Sequence, residues 1–229
     1  MKKSILLALT LFTFMMQAQE LKPMPLISVS GEGKIKVTPD QVGISVSVES
    51  KGVKAAEVKK ENDSKIDAVI KFIKKMNLDK QDYQTQRVNL NDQYNYQNKK
   101  HNYVATQTIV ILLKDLTKYD ELMEGLVEAG INNINGVEFK SSKIETYKSE
   151  ARKAAIKEAK LKAEDYVSVL SQKVGKAFTI TDNSQNYYPQ PMYAMAEMKN
   201  ADQQMAPRET LAIGEIEIIS NVTVSFVLE

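Results

Sequence analysis

The chain has no cysteine and a single histidine among its 229 residues. Without cysteine there is no disulfide, no thiol nucleophile, no Cys-ligated metal and no lipid attachment of the lipoprotein kind. One histidine is too few for a three-histidine or histidine–carboxylate metal site. That histidine, His101, falls in the charged turn Asn95–Asn102, has no acid or nucleophile beside it in sequence, and reads as a solvated loop residue. An excess of charge is also missing. Lysine and arginine number 31 and aspartate and glutamate 29, and removal of Lys2 and Lys3 with a leader would leave the two balanced. A nucleic-acid binder needs a basic surplus to displace counterions, so nucleic acid is not an expected partner.

Long apolar runs are scarce too. Ile5 to Met16 is the longest, preceded by Lys2 and Lys3 and followed by the small residue Ala18. That arrangement predicts a cleaved secretory leader over residues 1–18, because the run falls short of the ~20 apolar residues a spanning helix needs. A retained anchor is the alternative. Residues 19–229 are then expected to be an exported, soluble periplasmic domain that does not span the membrane.

What is present is alternation. Ile27, Val29, Ile35 and Val37 share one parity, and Val42, Ile44, Val46 and Val48 resume it after Thr38-Pro39-Asp40. Period two puts β-branched side chains on one face of a ribbon. The Pro-Asp turn between the two runs predicts a hairpin. From Val53 to Met76 the period becomes 3.6, with Val58, Ile66, Val69, Ile73 and Met76 on one face, a stripe that fits the hairpin. Asn62 interrupts that stripe, and a sheet-facing or capping hydrogen bond is its expected role.

Two strands, Asp82–Tyr96 and Tyr103–Leu113, follow as a second hairpin. A short helix over 116–129 is stopped by Gly130, and a strand occupies 134–144. A long helix over 146–173 carries Ala151, Ala155, Ala159 and Ala163 every four residues, with Tyr147, Tyr166 and Leu170 on the same side and Gly175 ending it. The stripe predicts close packing on a sheet, with a coiled-coil seam as the alternative. A strand begins at Phe178. The last strand, Ile213–Leu228, is long enough to belong in a sheet interior. The expected class is therefore α+β, antiparallel sheets covered by three helices in the order ββαββαβαββ.

Catalytic groups are sparse. Gly31-Glu32-Gly33 lies within a strand and offers no helix N-terminus to a phosphate, so close backbone packing is expected there. Glu215 and Glu217 alternate on a wet strand face and make no acid/base pair. Residues 183–212 break the periodicity with Tyr187, Tyr188, Met192, Tyr193, Met195, Met198 and Met205. Methionine thioethers at 192, 195 and 198 suit Cu(I). The favoured expectation is instead an interaction loop, using Tyr187, Tyr188, Met192, Tyr193 and Met195 against a second subunit or a partner. No enzyme activity and no cofactor are expected.

Several stretches together resemble the SIMPL-domain family of exported bacterial envelope proteins. They are Val29-Ser30-Gly31-Glu32-Gly33 with Val37-Thr38-Pro39-Asp40, the helix bearing Asn62, and Thr85 with Tyr94. Tyr103-x-Ala105, Lys114-Asp115-Leu116, the Ala151/Ala155/Ala159 helix with Lys162-Ala163 and Gly175, and Gly214-Glu215-Ile216 complete the set. The resemblance covers nearly all of the mature chain. It implies an α+β fold of two interlocked strand–helix units, a homo-oligomer or an envelope protein partner, and a link to envelope or oxidative stress defence. It supplies no catalytic residues. The alternative function is a periplasmic protein that binds a small ligand or Cu(I) through the Tyr187–Met205 loop.

Overall fold

The computed structural model describes residues 24–97, 99–184, 191–192 and 211–229. Its elements run β1 (Leu26–Val37), β2 (Gln41–Gly52), α1 (Ala55–Lys75), β3 (Tyr83–Asn95), β4 (Lys100–Leu113), α2 (Tyr119–Glu128) and β5 (Asn133–Lys140). They continue with α3 (Ile144–Ser168), β6 (Val174–Asp182), the two-residue β7 (Pro191–Met192) and β8 (Glu215–Leu228). Two antiparallel sheets result. One has the order β3-β4-β2-β5; the other has the order β1-β8-β6, with β7 also paired to β8.

The α+β class and the three helices agree with the sequence, and β8 is an interior strand flanked by β1 and β6. The first hairpin does not form. β1 pairs along its whole length with β8, from Leu26↔Val227 to Val37↔Ile216. β2 instead joins the other sheet between β4 and β5. The reason lies in the size of the two faces. β2 presents Val42, Ile44, Val46 and Val48, which are filled in by Ile66, Val69 and Ile73 of α1 and by Leu122 and Leu126 of α2. β1 presents Gly31 and Gly33 at its middle, a trough too shallow for α1 and suited to the alanine stripe of α3. Accordingly α1 covers β2 and β4, and α3 covers β1 and β8.

The alanine stripe is sheet packing. Ala151, Ala155, Ala159 and Ala163 are all fully buried, and Val167 continues the row. Tyr166 and Leu170 leave it and are exposed. Gly175 does not stop this helix: α3 ends at Ser168, Ser171 takes the left-handed turn (φ 52), and Gly175 lies inside β6. Gly130 does stop α2. With φ 119 it lets Ile131 N–H reach the Leu126 carbonyl (3.0 Å) and its own N–H reach that of Val127 (3.1 Å), the paired bonds of a Schellman ending.

Candidate interaction surface

Asn62 is buried on α1, and its side-chain amide donates to the carbonyls of Val48 (2.9 Å) and Ala105 (3.2 Å). It clamps the helix across β2 and β4 and has no access to a substrate. Gly31 and Gly33 let the backbone of α3 descend onto β1, so they too are structural.

The Thr38-Pro39-Asp40 turn has a different task from closing a hairpin. The Asp40 carboxylate accepts from the Ser142 backbone N–H (2.7 Å) and from the Ser142 hydroxyl, just ahead of α3. The Ser142 hydroxyl is the main cause of a lowered Asp40 pKa, and its backbone N–H adds to it. A depressed carboxyl contributes stability that is complete above the ordinary aspartate value of 3.8 and is lost as pH falls below it through the folded value. Asp40→Asn should therefore lower the melting temperature at neutral pH, and the gap from wild type should narrow as pH falls below 3.8. A gap that stays constant in an acid melting series would contradict this assignment.

A second anchored carboxylate is Asp82, whose side chain is nearly inaccessible and lies 2.6 Å from Lys114 Nζ. The hydrogen bond to Asp82 is the main cause of a raised Lys114 pKa, with further attraction from Asp79. Asp115, next in sequence, accepts from Thr117 N–H (3.1 Å) and caps a single 3-10 turn at Leu116–Lys118. This corner ties the start of β3 to the end of β4.

His101 proves to be a strand residue of β4, not a turn residue, and it has an acid partner. Its Nδ1 lies 2.7 and 2.9 Å from the two carboxylate oxygens of Asp92, which the β3–β4 pairing brings within reach. The pair is exposed.

Glu215 and Glu217 stand on β8, and Glu217 faces Lys36 of β1 in the strand register. Among the described residues, no group of three histidine, aspartate or glutamate side chains is placed to hold a metal. Tyr187, Tyr188, Tyr193, Met195, Met198 and Met205 lie outside the described residues. Met192 belongs to β7, whose backbone pairs Pro191 with Ile216 and Met192 with Glu215.

A cleft of about 550 Å³ opens where the two sheets meet. Val110, Leu112, Phe139, Ile144 and Ile216 contribute apolar lining, and Lys140 and Lys148 stand among its polar residues. Both lysines are paired, with Glu138 at 3.3 Å and Glu145 at 2.8 Å. Ser141 and Ser142 also line it, and the Ser142 hydroxyl donates to the Asp40 carboxylate.

The fold thus consists of a strand–helix unit closed by β1 and β8, with a second unit inserted between them in sequence. The family model of SIMPL, described as a protein of unknown function (DUF541), matches residues 27–226. The chain belongs to the SIMPL family. The match runs from the second residue of β1 into the last turn of pairing in β8, so both units are part of the SIMPL domain. An uncharacterized protein YggE of Escherichia coli (strain K12) is 30% identical over 216 residues, covering 93% of this chain and 87% of that protein. YggE of Edwardsiella ictaluri is 26% identical over 217 residues, with 90% and 91% covered. A 26 kDa periplasmic immunogenic protein of Brucella melitensis is 24% identical over 211 residues, with 89% and 84% covered. Within the described residues of this SIMPL chain, no helix is long and apolar enough to cross a membrane.

Proposed function

We propose that this SIMPL protein works in the periplasm without catalytic chemistry, through contacts with further copies of itself or with an envelope partner. The observation that carries the reading is apolar surface left outside the helical covers. α3 lies over β1 and β8, and beyond it Phe178 and Ile180 of β6 are each more than half exposed. Tyr166, Val169 and Leu170, at the end of α3 and just after it, are equally open. Exposed apolar side chains of this kind are available for contact with another molecule. The periplasmic setting is supported by the leader-like segment 1–18 and by the name of the Brucella relative. A part in envelope or oxidative stress defence is taken from the family resemblance. Tyr187, Tyr188, Met192, Tyr193 and Met195 are proposed to extend the contact surface.

Light scattering on the mature chain should give a mass above one subunit at micromolar concentration, and Phe178→Ser with Ile180→Ser should reduce it. A strict monomer would remove the self-assembly part of the reading and leave only contact with a partner. Met192→Leu, Met195→Leu and Met198→Leu together should leave assembly intact, because leucine keeps the apolar volume. Loss of tight Cu(I) binding in that triple variant would instead favour the alternative of a metal-binding loop.

A further inference from the structure

β1 is an edge strand, and it is the most regular of the edges. Among the described residues its strand partner is β8 alone, and all twelve of its residues, from Leu26↔Val227 to Val37↔Ile216, pair without a register shift. The other three edge strands are interrupted. The β2–β5 register shifts at Ser45/Val46, the β3–β4 register at Thr85/Arg87, and the β6–β8 register at Val174/Ala177 and again at Ala177/Thr179. Such irregularities twist an edge and make it a poorer template for a further strand. β1 has none, so its outward N–H and C=O groups need another cover.

α3 supplies that cover at the middle of the strand. Gly31 and Gly33 bring the α3 backbone down onto β1, close enough for side chains beside the alanine stripe to reach its outer edge. Glu158 and Lys162 stand one helical turn apart and are paired at 2.9 Å. One oxygen of the Glu158 carboxylate takes Lys162, and the other accepts from the Glu32 backbone N–H. Lys162 Nζ also donates to the Ser30 carbonyl (3.2 Å). The Glu32 N–H is the main cause of a lowered Glu158 pKa, followed by the Lys162 hydrogen bond. The Ser30 carbonyl and the Glu32 N–H flank Gly31 on the side of β1 away from β8. They are the acceptor and the donor that one residue of an added parallel strand would engage. Two helix side chains occupy both.

We propose that Glu158 and Lys162 cap the β1 edge and so keep it from pairing with β1 of a second copy. The copy's own β1 is the fitting occupant of an opened edge, because it is the one other edge of equal length and regularity. This cap is separate from the assembly surface on β6 and the end of α3, since β6 lies across β8 from β1.

The test takes the mature chain with Phe178→Ser and Ile180→Ser as its parent, so that association through β6 does not enter. Adding Glu158→Ala with Lys162→Ala should raise the mass in light scattering by at least one subunit as concentration rises. Glu158→Gln with Lys162→Arg should not, because the glutamine oxygen still accepts and the guanidinium still donates. Both side chains are exposed and alanine suits a helix, so the variants should fold, which melting curves verify. Amide hydrogen exchange adds a measurement that needs neither variant. In the parent, relative to intrinsic rates, the Glu32 amide should exchange about tenfold more slowly than the Lys34 amide, two residues on along the same edge. The proposal is overturned if a folded alanine variant keeps the parent's mass, or if the glutamine–arginine variant associates as the alanine variant does. Equal exchange at Glu32 and Lys34 also overturns it, since the edge would then be open already.

Discussion

Gly33→Val is expected to strip α3 from its sheet. A Cβ on Gly33 would lie 2.0 Å from the Ala151 carbonyl oxygen and 2.7 Å from the Ala155 nitrogen, and one on Gly31 would meet Ala155 and Ala159 at the same distances. These are backbone atoms of a buried helix, so no rotamer change relieves them. The helix must lift, and the contacts of Ala151, Ala155, Ala159 and Ala163 with β1 and β8 go with it. Overpacking of a tight core costs about 1–3 kcal/mol when side chains can adjust, so a clash with backbone should cost ~3 kcal/mol or more. For a domain of this size that is a fall in melting temperature of about 10 °C. Gly136→Ala is the control, since nothing lies within 4 Å of its added Cβ. Equal melting temperatures for Gly33→Val and Gly136→Ala would refute the packing account.

The second large effect concerns Asn62. Asn62→Ala leaves the carbonyls of Val48 and Ala105 without the donor they share, in a place closed to water. At about 1–3 kcal/mol per stranded group the loss should be ~3 kcal/mol. Asn62→Asp should be worse at neutral pH despite its near-identical shape, because a carboxylate oxygen would take the place of Nδ2 and face two carbonyl oxygens. The aspartate is tolerated only when protonated, so its folded pKa must rise and stability must recover as pH falls. Chemical denaturation of the two variants at pH 7 and pH 4 decides the matter. An Asn62→Asp protein as stable as Asn62→Ala at pH 7 would show that the donors are not what the site requires.

Both effects concern residues whose roles were legible early. An amide within an apolar stripe can only be there to hydrogen-bond, and two glycines one residue apart in a strand announce a close approach. The periodicities located the strands and helices, because each is a local consequence of where side chains point on a ribbon or a helix. Gly130 marked the end of α2 for the same local reason. His101 was placed in the wrong element, since the turn is shorter than its polar composition suggests and the β3–β4 register alone brings Asp92 to it.

The amino-acid sequence by itself determined the α+β class, the order of the longer elements, the buried parity of the first two strands and the alanine contact face of the long helix. Tertiary structure alone decided that β1 leaves β2 and pairs with β8, almost two hundred residues away. Alternation specifies which face of a strand is apolar, but many strands share that property. The choice among them depends on the depth of the whole face. Gly31 and Gly33 accept only a helix lined with alanine, and β2 requires the larger side chains of α1. That fit exists only once the helices are in place, so no local pattern in β1 could reveal its partner.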